Sequence, residues 1–409
     1  MATLYPFRAL RPRPSLASAI AAVPYDVVNV DEARALAEGH ALSFLHVSRA
    51  EIDLPPGTDV YSDAVYERAA ANYAQLTRDA FELEAERSLY FYRLRMDGHV
   101  QLGLAGCFSI DEYDRDIIKK HERTRRDKED DRTRHMLALG AQTGPVFLTY
   151  RASADITSLA ERVTVHAPLI DFVAPDDVQH TLWRVEGETR DALVAAFGRL
   201  PALYIADGHH RAASAARART ELAGTTHTSP VNDGADYNTV MAVAFPHDQV
   251  QVLPYNRVVK DLAGLTRDGF LDAVGERFHV ADGGAVPASR GTIAMYLDRR
   301  WFSLSPKQTP DPSDAIASLD VSVLQDHLLA PVLGIADVRT DKRIDFVGGI
   351  RGTGELERHV DEGRFAVAFS LRPVSVADLM AVSDAGGIMP PKSTWFEPKL
   401  RDGLLLHVI

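Results

Sequence analysis

Hydrophobic and polar positions along the chain change period in blocks, and each block predicts an element. Residues 59–80 place Val60, Ala64, Val65, Ala69, Ala71 and Leu76 at helical spacing, which predicts an amphipathic helix. Two strand-like runs, 88–95 and 100–110, flank Met96-Asp97-Gly98-His99; Asp-Gly between such runs predicts a β-hairpin. Residues 145–150 read as a buried strand, and 163–173 and 181–185 as two more. Ser43-Phe44-Leu45-His46-Val47 also reads as strand, with His46 as a satisfied structural histidine.

The sharpest change of period follows Pro201-Ala202-Leu203-Tyr204-Ile205. An apolar run ends at Ala206-Asp207-Gly208-His209-His210-Arg211 and passes into an alanine-rich helix carrying Ala212, Ala213, Ala215, Ala216 and Ala218. The expected order is strand, tight turn, helix. A polar loop over 225–236 comes next, then a hairpin from 239–246 and 249–254. From about Leu262 the pattern runs helix 267–278, hairpin 292–305, helix 321–333, strands near Phe346 and at 365–371, helix 376–383 and a closing strand 403–409. The proline-rich stretch from Ser305 reads as a surface loop. Helices mixed with hairpins predict an α+β fold, divided into an N-terminal region 1–260 and a C-terminal α+β domain 261–409.

Composition narrows the class. The 409 residues suggest about two or three domains. No apolar run reaches spanning length, and residues 1–8 lack the basic-then-apolar order of a signal peptide. Cys107 is the single cysteine, which excludes an internal disulfide and a cysteine-based zinc cluster and leads to the expectation of a reducing cytoplasm. Its apolar setting predicts a buried, inert thiol. A net charge of −12 argues against nucleic acid as partner. A small phosphorylated molecule in a local basic pocket remains compatible, and the oligomeric state, a homo-oligomer included, is open.

Chemistry concentrates in five places. At Asp207-Gly208-His209-His210-Arg211, the helix start offers unpaired backbone N–H groups and the positive end of its dipole to an anion. Gly208 permits a left-handed backbone, and Arg211 is placed to grip phosphate with both arms of its guanidinium. The alternative is an ordinary solvated turn. Residues 119–135 hold eight Lys or Arg, five Asp or Glu and no apolar side chain. They predict either a solvated helix laced with pairs such as Glu122–Arg126, or a cationic wall of Lys120, Arg123, Lys128 and Arg132 for phosphates. In the second case His121 and Glu122 are available for proton transfer or metal. Asp26 is a lone acid within the apolar run 22–28, either a turn residue or a base. In the proline-rich segment 387–399, Lys392, Ser393, Thr394 and Lys399 offer cations and hydroxyls, on a ligand lid or a rigid connector; Pro254-Tyr255-Asn256-Arg257 carries the same ambiguity. No His-Glu-x-x-His spacing occurs.

Taken together, Pro6-Phe7-Arg8-Ala9, Pro24-Tyr25-Asp26-Val27-Val28, Ser43-Phe44-Leu45-His46, Lys120-His121-Glu122 with Thr124, Lys128-Glu129-Asp130-Asp131-Arg132, Gly144-Pro145-Val146, the Asp207–Arg211 turn and Pro390-Pro391-Lys392-Ser393-Thr394 resemble a widespread prokaryotic domain-of-unknown-function family, numbered ten-fifteen. The Gly-His-His-Arg turn also resembles the ParB/sulfiredoxin-like superfamily, whose members set a Gly-x-x-Arg turn over nucleotide phosphates. His209 stands where sulfiredoxin has its cysteine, and no helix-turn-helix module of partition proteins is found.

What these resemblances imply is a ParB-like nucleotide-binding core and a phosphotransferase acting on a hydroxyl such as that of free serine. ATP, ADP or pyrophosphate would be the donor, with Mg²⁺ partly held by Asp207. Asp26, nearest the serine kinases' early acidic residue, or Glu122 would accept the proton. Two other classes stay open: a nucleotide-binding regulatory module without transfer, and a metal-dependent hydrolase using His121, His209 and His210.

Overall fold

The structure is a computed structural model and describes residues 2–225 and 236–409. The polar loop expected at 225–236 lies almost wholly outside the described residues. The chain divides into one unit of Met1–Val250 with Pro398–Ile409 and a second of Gln251–Glu397. Both mix helices with largely antiparallel sheets.

The first unit is built on the hairpin Leu89–Met96 and His99–Ser109. Asp97 and Gly98 both take positive φ, 48° and 82°, as an Asp-Gly turn of the twisted hairpin type requires. Thr239–Pro246 pairs antiparallel with His99–Ser109 and parallel with Val146–Tyr150. Leu203–Asp207 follows, antiparallel to Val146–Tyr150, and parallel Ile118–Lys119 closes that edge. At the other edge, Gln179–Val185 and then Ile170–Val173 pair beyond Leu89–Met96. The strand Thr239–Pro246 is buried throughout, which explains its unbroken apolar sequence. Helices Ala154–Thr164, Gly187–Phe197 and His209–Thr225 supply Ile156, Leu193, Phe197, Ala212 and Ala215 to the core beneath the sheet.

A second sheet of the same unit joins Phe81–Leu83, Ala9–Pro12, Leu406–Val408 and Ala141–Gln142. The closing strand therefore does not belong with residues 261–397. Ala9 faces His407 and Leu10 faces Leu406.

The second unit holds a six-stranded sheet in the order Phe278–Asp282, Arg300–Pro306, Ile293–Leu297, Val367–Ser370, Tyr255–Val259, Ile344–Gly348. Its helices are capped in sequence-readable ways. Thr266 accepts from the Gly269 N–H ahead of Arg267–Arg277, and Ser375 with Asp378 forms a capping box ahead of Val376–Asp384.

Several expectations are corrected. Gln251–Leu253 does not return on Thr239–Pro246; it pairs with Trp395–Glu397. Residues 43–47 are not strand, since Leu45–Ser48 is a helical turn. Within 163–173 only Ile170–Val173 is strand, because Ala154–Thr164 is an amphipathic helix that ends there. In 321–333 the α-helix is short, Asp320–Leu324, and continues as a π-turn over Gln325–Leu329.

Candidate functional site

Leu203–Asp207 delivers Asp207 to the rim of the sheet, and Gly208 turns the chain with φ +94°. Only a residue without Cβ fits there: a Cβ would meet the Arg211 guanidinium at 3.1 Å, in a backbone region L-residues rarely adopt. The first intrahelical bond runs from the Ala212 N–H to the Gly208 carbonyl at 3.0 Å. The N–H groups of Gly208 to Arg211 therefore have no acceptor within the helix.

Arg211 is buried, and its terminal nitrogens are used inside the protein. Nη1 donates to the Pro145 carbonyl and Nη2 to Asp207 Oδ2 at 3.2 Å. Only Nε lacks a partner. The two-armed grip on phosphate expected from the sequence is thus spent on the protein's own backbone and carboxylate. Burial alone would depress its pKa; the Asp26, Asp207 and Asp402 carboxylates outweigh it and keep the group cationic. Asp207 also receives Lys399 Nζ at 3.5 Å. Burial pushes its carboxyl up, but Lys399 and Arg211 hold it well below the usual range. A carboxylate already facing two cations is poorly suited to magnesium, the role the sequence reading gave it.

The 120–125 loop crosses this turn. The His121 N–H points to His209 Nε2 at 3.4 Å, and the two rings meet edge to face with centroids 4.5 Å apart. His209 Nδ1 lies 3.9 Å from Glu122 Oε2. Burial drives both imidazoles toward the neutral form, His121 to about 4 and His209 well below its ordinary value. The Ile205 carbonyl leans toward the His121 ring, yet neither ring nitrogen has a partner of hydrogen-bonding geometry. His210 turns elsewhere and accepts the Arg125 N–H at 3.0 Å.

Two further segments complete the cluster. Tyr25 is buried and Asp26 exposed, with the Asp26 charge acting on Arg211 and His210. The Arg132 guanidinium lies 4.1 Å from the Tyr25 ring centroid and pairs with Asp131 at 2.9 Å. From the C-terminal return comes Asp402, buried and raised to about 7 by desolvation against the pull of Arg211. A cavity of about 40 Å³ is lined by Tyr25, Arg132, Gln142, Gly144, Arg211 and Asp402. At Gly144 a Cβ would stand 2.6 Å from Asp402 Oδ1.

Of the sequence-named residues, Asp26, His121, Glu122, Asp207, Gly208, His209, Arg211 and Arg132 therefore share this neighbourhood. Others do not share it. Lys120 is tied to Asp116 at 2.8 Å and the Tyr113 carbonyl. Lys128 reaches Tyr61 Oη at 3.1 Å, and Arg123 is exposed. The 119–135 segment is not a solvated helix. Helix Arg126–Leu139 packs against Asp63–Ala80 and His209–Thr225 and buries Asp131, Thr133 and His135; Glu122 precedes it, so no helical Glu122–Arg126 pair forms.

Lys392, Ser393 and Thr394 belong to the second unit. There Arg257 Nη2 donates to the Lys392 carbonyl at 2.9 Å, and Ser393 Oγ to the Pro390 carbonyl at 2.6 Å. Arg257 and Ser393 line a cavity of about 200 Å³ with Tyr255, Arg290, Arg372 and Ser375.

Sequence reasoning missed Asp402 and undervalued Lys399. Asp402 carries the same signal that singled out Asp26, an acid abutting an apolar run, here 404–406.

The chain matches the family described as "Protein of unknown function (DUF1015)" over residues 4–322. No curated protein matches the sequence. Among solved structures the chain is similar to a free serine kinase in complex with AMP, at 13% identity, covering 73% of this chain and 92% of that one with a TM-score of 0.36. A conserved hypothetical protein from Pyrococcus furiosus is similar at 14% identity, 74% and 95% coverage and TM-score 0.36. SbnI with a C-terminal truncation from Staphylococcus aureus is similar at 13% identity, 74% and 86% coverage and TM-score 0.39. Among the described residues, no helix is long and apolar enough to cross a membrane.

Proposed function

The chain belongs to the DUF1015 family of proteins of unknown function, and from the geometry of its site we propose that it is a small-molecule phosphotransferase. A nucleotide or pyrophosphate places its phosphates on the Gly208–Arg211 turn, in the manner of the ParB/sulfiredoxin-like core. A hydroxyl acceptor, with free serine the first to test, receives the phosphoryl group. The acceptor oxygen forms the new bond to phosphorus, the bond to the leaving phosphate breaks, and the hydroxyl proton passes to the protein.

One observation carries this reading: the N–H groups of the helix start, which have no acceptor within the helix, share the turn with two cations, Arg211 and Lys399, that converge on Asp207 from different parts of the chain. Pre-oriented N–H groups and cations favour the charge that develops in phosphoryl transfer, where catalysis rests on positioning and charge neutralisation. Because Arg211 and Lys399 both pair with Asp207, the backbone N–H groups take the larger share of phosphate contact. The exposed Asp26 carboxylate is the group that accepts the proton; Glu122, half exposed, is the second candidate, and the enclosed, neutral His121 is the least suited. No step is assigned to magnesium at Asp207.

The test follows labelled nucleotide with and without Mg²⁺. Transfer of label to serine is expected, with a nucleotide-dependent rise in melting temperature. Asp26→Asn should keep that rise and lower transfer about 10²–10⁴-fold. Binding without transfer in the unaltered protein makes the chain a nucleotide-binding regulatory module, and absence of binding sinks the phosphate reading. A second reading, metal-dependent hydrolysis, is favoured by the grouping of His121, Glu122 and His209; label released as inorganic phosphate, with none on the acceptor, would select it.

A further inference from the structure

We propose that His121, Glu122 and His209 form a binding site for one divalent transition-metal ion of the zinc or cobalt type. Their ligand atoms all lie within 4.8 Å of one another. The two histidines come from chain segments far apart in sequence and are almost fully enclosed, at 2% and 4% exposure. His121 is the telling residue. A buried imidazole normally satisfies its polar atoms, yet neither of its ring nitrogens has a partner. A bound cation supplies what the chain does not.

The donor set selects the class of ion. Two imidazoles and one carboxylate suit zinc, cobalt or iron(II) and not magnesium or calcium, which take oxygen ligands. With metal–ligand bonds of about 2.0–2.2 Å, ligand atoms in a tetrahedral site stand roughly 3.3–3.6 Å apart. The observed 3.9 Å between His209 Nδ1 and Glu122 Oε2 therefore closes by a few tenths of an ångström. Glu122, half exposed where the two rings are enclosed, makes most of the movement. Coordination through His209 Nδ1 moves the ring proton to Nε2 and gives up the long contact from the His121 N–H. Three protein ligands leave a fourth position for water or a phosphate oxygen. His210 is excluded because its Nε2 accepts from Arg125.

The experiment uses the full chain, free of any histidine tag, stripped with chelator and titrated with Co²⁺ in the absence of nucleotide. One equivalent should bind, with the visible absorption of low-coordinate cobalt, and Zn²⁺ should displace it. Glu122→Gln, at a half-exposed position that leaves the fold intact, should weaken Co²⁺ binding at least tenfold. His121→Gln should do the same, with its melting temperature checked against the parent. His210→Gln should bind as the parent does. Absence of one-equivalent binding, or Glu122→Gln binding Co²⁺ as tightly as the parent, overturns the site. Because no nucleotide is present, either result leaves the phosphotransferase reading to its own assay.

Discussion

Arg211 and Arg257 are buried to nearly the same depth, 8% and 2% exposed, in different units of the chain. Arg211 lies among the charges of Asp26, Asp207 and Asp402, which raise its pKa. Arg257 instead donates to the Tyr255 and Lys392 carbonyls and lies 5.6 Å from the Phe346 ring centroid. Burial lowers its pKa to about 10. In the first case the cation balances surplus negative charge, and in the second it ties a loop to a strand. A buried arginine thus marks concentrated charge only where carboxylates surround it.

Substitution separates the two most strongly. Arg211→Met removes the cation facing Asp402 and leaves Asp207 with Lys399 alone, and should destabilise the first unit by about 3–5 kcal/mol, as broken buried ion pairs do. Arg257→Met also relieves an uncompensated charge and should cost less than about 2 kcal/mol. Chemical denaturation, resolving the two units' transitions, measures both. Equal losses would dissolve the contrast.

The next effect concerns pH. Asp402 is raised from 3.8 to about 7 in the folded protein. Between those values the native state holds a proton that the unfolded state has released, so stability falls as pH rises, by up to about 1.4 kcal/mol per pH unit. The contribution is fully present below the unfolded value and is lost through pH 7. Denaturation series across this window should show the slope in the parent and lack it in Asp402→Asn. Parallel series would mean that Asp402 titrates as an ordinary surface acid and that Arg211 answers to Asp207 and Asp26 alone.

The smallest effect is steric. Gly144→Ala introduces a Cβ 2.6 Å from Asp402 Oδ1, forcing the carboxylate away from its place. A loss of about 1–2 kcal/mol is expected, within the usual range for overpacking, and it should shrink in the Asp402→Ala background. Full additivity of the two changes would break the contact.

What was legible in the sequence was local. The Asp97-Gly98 hairpin and the Leu203–Asp207 turn into His209–Thr225 declare themselves because period and turn residues change within a few positions. His46 misled for the opposite reason: its apolar run has no period of its own. Its helical turn is held from outside, by Asp53 on Nδ1 at 2.8 Å and by Asn72 donating to its carbonyl at 2.7 Å. Lys399 and Asp402 were hidden by distance along the chain. Lys399 meets Asp207 across 192 positions, and no spacing rule connects residues so far apart. Arg211 was misjudged in role, because sequence shows the charge and not the Pro145 carbonyl that occupies it.

The return of Pro398–Ile409 to the first unit also has a consequence in time. During synthesis, the strand Ala9–Pro12 emerges early and waits for its neighbour Leu406–Val408 until all of Gln251–Glu397 has been made. At about 5–20 residues per second that wait is some tens of seconds. Throughout it the nascent first unit lacks Lys399 and Asp402, so the charge cluster around Arg211 closes only once the segment Pro398–Ile409 has been made. A message truncated shortly before that segment would yield a chain with nearly all of its core and an unbalanced site.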